Sequence, residues 1–449
     1  MKKSLLTLSA IFIFTGSIFA QLYKEGIVNR KFDLFQVGDT VKVHGLKSND
    51  FSGKTQYLVK TSFGNIFVNE DRVDLFTNDF NFWENLWFES RALDISEKGW
   101  QSENRQALYE DAMVFFEEVK GNNLIFEDEL LYDYIYQLIF KIHPEHLMKD
   151  KNRVFNLIIL KSTEPQYFSF ENGMIVMTTG AISMANSEKE LTQMLTECIS
   201  HIVLEHNLVN LNHAIKTENR ARTWGAIATF ASAAVIAYGN EKNGTYYNFD
   251  DALNLGLAAS YMTVENLQRI GAKYNDAQNK LVSKVSEEYW SKNAGLFNDN
   301  NKLFLAKISN AVSYTAWQEF HSKNYEYALK LANKMESFGM ATEEEYLLLS
   351  KLYRKLGNDL DTNLQALTYV KEAEKLAPKK LKELDLEAGL IYMRMDDFDN
   401  ARDAFQRYKS NLVELENSGE DVQTELKFVN QLLYRFNMEQ RENIGYTDK

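Results

Sequence analysis

The amino-acid sequence predicts a mainly helical protein of the α+β class, with a small β domain in front of two helical regions. Only three prolines occur among 449 residues, and so few helix breakers favour long helices. Near the N-terminus, by contrast, short segments of alternating apolar residues lie between turn residues, which is typical of strands. A hydrophobic content of 45% allows sizeable cores, and the length suggests about two to four domains.

The N-terminus has the pattern of an export signal. Lys2 and Lys3 form a basic start, a mostly apolar run covers 5–19, and Ala20 ends a small-residue cleavage site. The run is shorter than the ~20 apolar residues that a membrane-spanning helix needs, so a cleaved signal peptide at 1–20 is favoured over an uncleaved anchor. We therefore expect an exported, periplasmic protein.

Residues 21–78 are predicted to form the β domain. Strand patterns lie at 41–43, 57–61 and 65–68, and Gly64 marks a turn between the last two. Short strands and tight turns in a segment of this length fit a small SH3-like β-barrel. Such barrels more often bind peptides or neighbouring domains than catalyse reactions, and the alternative is a plain structural cap.

Charge and cysteine content limit the partners and the sources of stability. The net charge of -13 argues against nucleic acid as a partner, because the phosphate backbone would be repelled. Cys198 is the lone cysteine, so the chain forms no internal disulfide although export would permit one. Packing must therefore stabilise the fold.

An apolar, alanine-rich segment at 224–239 is a further candidate for membrane contact. It is too short for a membrane span and rich in small residues. A buried hairpin helix is the favoured interpretation. The alternative is a helix that touches the membrane surface, which would give the protein a peripheral membrane contact.

The last third of the chain is predicted to be helical and repetitive. In the clearest unit, Gly389, Tyr392, Ala401 and Phe405 keep the spacing of a TPR of about 34 residues. Small residues at such positions let the two helices of a unit approach closely. Two earlier units show parts of the pattern, and about three units are needed for a stable stack. We therefore expect TPR-like helical repeats over 311–449; the alternative is a generic helical bundle.

An ordered series of motifs lies between Pro165 and His206. The series consists of a turn at 167–169, a strand at 173–179, a helix start at 179–182, an acidic stretch at 188–191 and a helix that runs through Leu204. This order resembles the core of the M48 metallopeptidases, in which a Gly-containing strand, a Thr-Gly helix start and an acidic stretch precede the motif helix. The resemblance implies a zincin-like M48 peptidase domain over 79–310.

In M48 peptidases the motif helix carries HExxH. Two histidines at i and i+4 bind zinc from one helical face, and the glutamate activates the zinc-bound water. This chain has Glu197 at the first histidine, Cys198 at the catalytic glutamate and His201 at the second histidine. A thiol is a poor replacement for the base, because its ordinary pKa is about 8.5 and it would compete as a ligand.

The third zinc ligand of the family is a glutamate on a downstream helix, and two registers remain open for it. In the first register, Asn279 stands at the ligand position and Ser283 at a following aspartate; in the second, Tyr274 stands at the ligand position. Neither register supplies a carboxylate. The metal-ligand positions Glu197, His201 and Asn279 therefore retain one original ligand, too few for the usual zinc site.

The favoured interpretation is a pseudopeptidase that keeps the fold without catalysis, so that no cofactor is expected and Cys198 is not functional. We expect a hydrogen bond between Glu197 and His201 to satisfy their polar groups, since both project from one helical face. The alternative is a metalloendopeptidase with non-standard zinc ligands, because Glu197, Cys198, His201 and Glu205 lie close together on the helix.

A peptidase domain without catalysis still implies a binding groove. In zincins an extended peptide adds to a sheet edge beside the motif helix, and here Met174, Ile175, Val176 and Met177 would form that edge. The TPR array adds a concave surface for another partner. The architecture is similar to periplasmic M48–TPR proteins that assist outer-membrane protein quality control. This similarity implies a chaperone, scaffold or regulator that binds other proteins or unfolded polypeptides.

Overall fold

The computed structural model describes residues 23–48, 55–61, 64–76, 82–90, 100–143, 155–217, 274–376 and 382–445. The predictions of a signal peptide at 1–20 and of a helix at 224–239 lie outside these residues. The described protein is mainly helical, with an N-terminal curled antiparallel sheet and a C-terminal helical array. This confirms the predicted class in its coarse form.

The chain divides into two compact units. The first unit comprises Met1–Ser102 and His143–Val154, and the second comprises Glu103–Ile142 and Phe155–Lys449. The second unit contains the predicted motif helix with Glu197, the downstream helix with Asn279 and the helical array.

The first unit is built on a five-stranded antiparallel sheet. Its elements are β1 (Lys24–Val28), β2 (Thr40–Ser48), β3 (Thr55–Thr61), β4 (Gly64–Asn69), β5 (Val73–Leu75) and helix α1 (Phe82–Ser90). The strands pair in the order β4-β3-β2-β1-β5. Val41 and Val43 are buried while Lys42 between them is exposed, as the alternating pattern predicts. Helix α1 packs on β2 and adds Phe88 to the same core.

The second unit contains a three-stranded sheet beside two helices. These elements are α2 (Trp100–Gly121, most of which lies in this unit), α3 (Glu129–Ile142), β6 (Asn156–Leu160), β7 (Tyr167–Ser169) and β8 (Met174–Thr178). Strand β8 lies in the middle, parallel to β6 and antiparallel to β7. Its residues are all buried, in keeping with a central strand.

The expectation of a peptide-binding edge at Met174, Ile175, Val176 and Met177 is wrong. All four residues pair with β6 on one side, and Ile175, Val176 and Met177 pair with β7 on the other. A strand with hydrogen-bonded neighbours on both sides has no free ladder positions for an added peptide. The outer strands of this sheet are β6 and β7, and β7 is short.

The motif helix and its neighbours follow the sheet. They are α4 (Thr179–Met184), α5 (Glu188–Val203), α6 (His206–Thr217) and α7 (Asp276–Asn293). Ser187 is the N-cap of α5, and its side chain accepts a hydrogen bond from the Glu190 amide. A capping box of Asn275 and Gln278 begins α7. The apolar face predicted for α5 is confirmed, because Leu191, Leu195, Ile199 and Ile202 are fully buried.

The C-terminal array is a succession of helices in which each packs on the next. They are α8 (Asn301–His321), α9 (Tyr325–Ser337), α10 (Glu343–Leu356), α11 (Leu360–Leu376), α12 (Glu383–Arg394), α13 (Phe398–Asn417) and α14 (Gln423–Gly445). Helices α12 and α13 come closest where Phe405 packs on Gly389: a Cβ added at Gly389 would lie 2.5 Å from Cε1 of the Phe405 ring. Ala401 and Phe405 are fully buried.

Candidate functional site

Helix α5 carries three of the predicted site residues within little more than one turn. Glu197 is half-buried, whereas Cys198 and His201 are buried. The hydroxyl of Ser169 on β7 donates to the carbonyl oxygen of Cys198 at 3.0 Å. This bond ties the motif helix to the outer strand β7.

The carboxylate of Glu197 binds protein groups through both of its oxygens. Tyr167 on β7 donates its hydroxyl to Oε2 at 2.8 Å, and Ser283 on α7 donates to Oε1 at 2.9 Å. Burial and the neighbouring charge of Glu197 raise the pKa of Tyr167, so the phenol stays protonated and remains a donor. Glu197 therefore links the outer strand, the motif helix and α7.

His201 pairs with a second histidine. The Nδ1 atoms of His201 and His206 are 2.9 Å apart, which requires one ring to donate and the other to accept. Burial, together with the adjacent His206, lowers the pKa of His201 to about 3, and burial lowers the pKa of His206 to about 4. Both rings are therefore neutral at neutral pH.

The turn between α5 and α6 brings His206 back toward His201. Glu205 has a φ of 52°, a left-handed conformation that is uncommon for a residue other than glycine. Arg105 on α2 donates to the carboxylates of Glu205 at 3.0 Å and of Glu171 at 3.1 Å. These largely buried ion pairs hold the turn, and the turn sets the position of the His206 ring.

Tyr274, which precedes the N-cap of α7, covers the other side of His201. The two rings stack with their centroids 3.4 Å apart and an interplanar angle of 18°. The Tyr274 hydroxyl donates to the carbonyl oxygen of Ser169 at 2.6 Å, and Asn207 donates to the same oxygen at 3.2 Å. This backbone acceptor on β7 is therefore occupied by side chains of the protein.

The structure brings residues of both registers to the motif helix. Tyr274 stacks on His201, and Ser283 donates a hydrogen bond to Glu197. Asn279 is exposed and lies one turn before Ser283, and its side chain makes no hydrogen bond in the described residues. The expected Glu197–His201 hydrogen bond is wrong, because each side chain has other partners.

These residues do not fit a catalytic zinc ion. Both Glu197 oxygens and the Nδ1 of His201 already have partners within the protein, and Asn279 offers an amide rather than a carboxylate. The described ranges contain no group of three or more His, Cys, Asp or Glu side chains arranged to hold a metal ion. An open zinc site needs three protein ligands and a free position.

Cys198 does not suit the role of a base either. Its side chain is 1% exposed, and burial followed by the charge of Glu197 raises the pKa of the thiol. A buried, protonated thiol is neither a nucleophile nor a proton acceptor at neutral pH. It packs as a small apolar residue.

A cleft of about 910 Å³ runs from the motif helix to the helical array. Glu197, Tyr167 and Ser283 line one side, and residues of α8 and α9, among them Glu319 and Lys334, line the other. Lys334 donates to the carbonyl oxygens of Ser183 and Ala185, and burial lowers its pKa to about 8. Sequence reasoning missed this cleft because its two sides are distant in the chain. A glutamate on the apolar face of α8, at Glu319, is the signal that could have indicated it.

A second groove of about 1090 Å³ lies within the array itself. Leu347, Leu367 and Leu384 supply apolar surface, and Lys351 and Arg407 are among the charged residues that line it. Both concave surfaces belong to the second unit.

None of the helices in the described ranges is long and apolar enough to cross a membrane. Neither known protein-family models nor curated protein sequences show a significant match to this chain.

Proposed function

We propose that this chain is a non-catalytic, polypeptide-binding protein with an M48-like core, exported to the periplasm and active there as a chaperone, scaffold or regulator of envelope protein quality control. One observation carries the proposal: the polar groups at two of the three ligand positions, Glu197 and His201, bind other groups of the protein. Glu197 accepts hydrogen bonds from Tyr167 and Ser283. His201 is hydrogen-bonded to His206 and stacks on Tyr274. Contacts of this kind support a site that does not depend on a metal ion.

The finer assignments of fold belong to the same proposal. The curled five-stranded sheet supports an SH3-like domain. A parallel β6–β8 pair with an outer antiparallel β7 beside the motif helix supports a zincin-like core. The close approach of Phe405 to Gly389, at the positions expected for paired repeat helices, supports a TPR-like array.

Two concave surfaces favour polypeptides as the partners. The cleft beside the motif helix and the groove of the array both have volumes near the upper range of ligand pockets. The groove combines leucine side chains with charged residues of both signs. Such a surface can cover apolar side chains of an extended chain while it leaves the backbone in contact with water.

A combined binding and cleavage assay tests this proposal. Labelled, reduced and carboxymethylated ribonuclease serves as the unfolded polypeptide; anisotropy reports binding and mass spectrometry reports cleavage. We expect saturable binding, no cleavage, and no effect of a chelator. The Cys198→Ala variant should bind equally well. Cleavage that is lost on chelation or in the His201→Ala variant would show a metallopeptidase with non-standard ligands, and the absence of any binding would refute the proposal.

A further inference from the structure

The cleft beside the motif helix is rich in negative charge. Glu164, Glu190, Glu197, Glu287 and Glu319 line it, against the two lysines Lys330 and Lys334. Acidic residues often lie together on a solvated surface, so their number alone indicates nothing. These carboxylates differ in whether they already have a hydrogen-bond partner in the protein.

Two of the carboxylates serve the protein itself. Glu197 binds Tyr167 and Ser283, as described above, and Glu190 accepts from the backbone amide of Asn186 at 2.8 Å. Lys334 is likewise engaged, because it donates to two carbonyl oxygens at the end of α4. It forms no ion pair with the cleft carboxylates within the described residues.

Glu319 differs from these residues. Its side chain lines the cleft, yet the residue is only 7% exposed. Among the described residues its carboxylate has neither a hydrogen-bond partner nor an ion-pair partner. Oε2 of Glu164, also on the cleft, is buried without a partner. A largely buried carboxylate that lines a cleft and has no partner in the described part of the chain points to a cation that arrives from outside.

We propose that the cleft binds a lysine or arginine side chain of a bound polypeptide, with Glu319 as its counter-charge. This inference rests on the proposed function, since it names the chemical class of polypeptide that the protein selects. The basic side chain enters between α5 and α9, and the Glu319 carboxylate accepts hydrogen bonds from its charged end.

The rest of the cleft suits such a side chain better than a metal ion. Tyr167 and Tyr327 line the cleft, and aromatic rings attract cations. Met184, Met194 and Leu331 can cover an aliphatic stem. No three acidic or imidazole groups in the described ranges are grouped for a metal, and a volume of about 910 Å³ is far larger than an ion requires.

The test uses short, labelled, unstructured peptides that are identical except for one central residue, which is lysine, acetyl-lysine or glutamate. Acetylation keeps the stem and removes the charge. The full protein is compared with Glu319→Gln, which keeps the shape and removes the charge, and with Glu326→Gln, an exposed position on α9. Anisotropy gives each affinity, and Ca²⁺ alone is titrated separately.

We expect the wild-type protein to prefer the lysine peptide over the acetyl-lysine peptide by about tenfold or more. The preference should disappear in Glu319→Gln and persist in Glu326→Gln. Circular dichroism checks that Glu319→Gln is folded. If all peptides bind equally and Glu319→Gln changes nothing, the cation site is wrong while polypeptide binding stands. If no peptide binds, both proposals fail. If only Ca²⁺ binds, and does so through Glu319, the ligand is a metal and this inference is overturned.

Discussion

The phenol ring of Tyr274 stacks on the imidazole of His201, with 3.4 Å between the ring centroids. His201 stands at one of the predicted zinc-ligand positions, and this contact covers one face of its ring. Its Nδ1 faces the Nδ1 of His206. His201 is thus part of a packed core between α5, α6 and the start of α7.

Replacing Tyr274 tests how much this contact stabilises the second unit. Tyr274→Phe keeps the ring and loses the hydroxyl that donates to Ser169, so we expect a loss of about 1–2 kcal/mol in the free energy of unfolding. Tyr274→Ala also loses the stacked ring and should cost about 3–5 kcal/mol. Urea unfolding followed by fluorescence measures both values. Equal stability of Tyr274→Ala and wild type would contradict the packing described here.

The histidine pair predicts a dependence of stability on pH. The pKa values of His201 and His206 are lowered in the folded protein to about 3 and about 4, whereas the unfolded value is about 6.5. The unfolded chain therefore binds more protons below pH 6.5. Stability should be complete above that pH and fall as the pH drops toward 4, by up to about 1.4 kcal/mol per pH unit for each ring.

Urea unfolding between pH 7.5 and pH 4.5 measures this dependence. NMR of the imidazole carbons provides an independent reading, since two histidines should stay neutral at pH 5. If all histidine signals titrate near pH 6.5, the buried pair does not exist.

Placing a glutamate at position 198, as in the HExxH motif, should damage the fold. Cys198 is buried beside the charge of Glu197, so Cys198→Glu places a second carboxylate in the core and should cost at least about 3 kcal/mol. Cys198→Ala, a matched small apolar replacement, should cost less than about 1.5 kcal/mol. A Cys198→Glu protein as stable as Cys198→Ala would mean that this position opens to a polar site.

The contact between Gly389 and Phe405 should be energetically coupled. Phe405→Ala removes a fully buried ring and should cost about 3–5 kcal/mol. Gly389→Ala forces a Cβ against that ring and should cost about 1–3 kcal/mol. In the Phe405→Ala background the added methyl has room, so Gly389→Ala should cost little. A double-mutant cycle measures the difference, and simple additivity would argue against this packing of α12 on α13.

Local patterns in the sequence predicted the elements better than their arrangement. Alternation gave the buried positions Val41 and Val43, and helical periodicity gave the apolar face of α5. The position of β8 between two strands could not be predicted, because the order of strands depends on pairing between distant segments. The four residues at 174–177 were therefore expected at a sheet edge, whereas they lie in the central strand β8.

The polar contacts of the site could not be predicted from local sequence patterns either. Helical spacing suggested that Glu197 binds His201, four residues away. The structure instead joins Glu197 to Tyr167 and Ser283, residues from another strand and another helix. The pairing of His201 with His206 depends on the left-handed turn at Glu205, which no spacing rule reveals.

The zinc content of the purified, full-length protein tests the central claim most directly. The protein is dialysed against excess Zn²⁺ and then against metal-free buffer, and metal is measured by mass spectrometry. Because Glu197 and His201 bind protein groups and no third ligand joins them in the described part of the chain, we expect far less than stoichiometric zinc and no change in Tm on addition of a chelator. Stoichiometric zinc whose removal lowers Tm, and which is lost in the His201→Ala variant, would contradict the account.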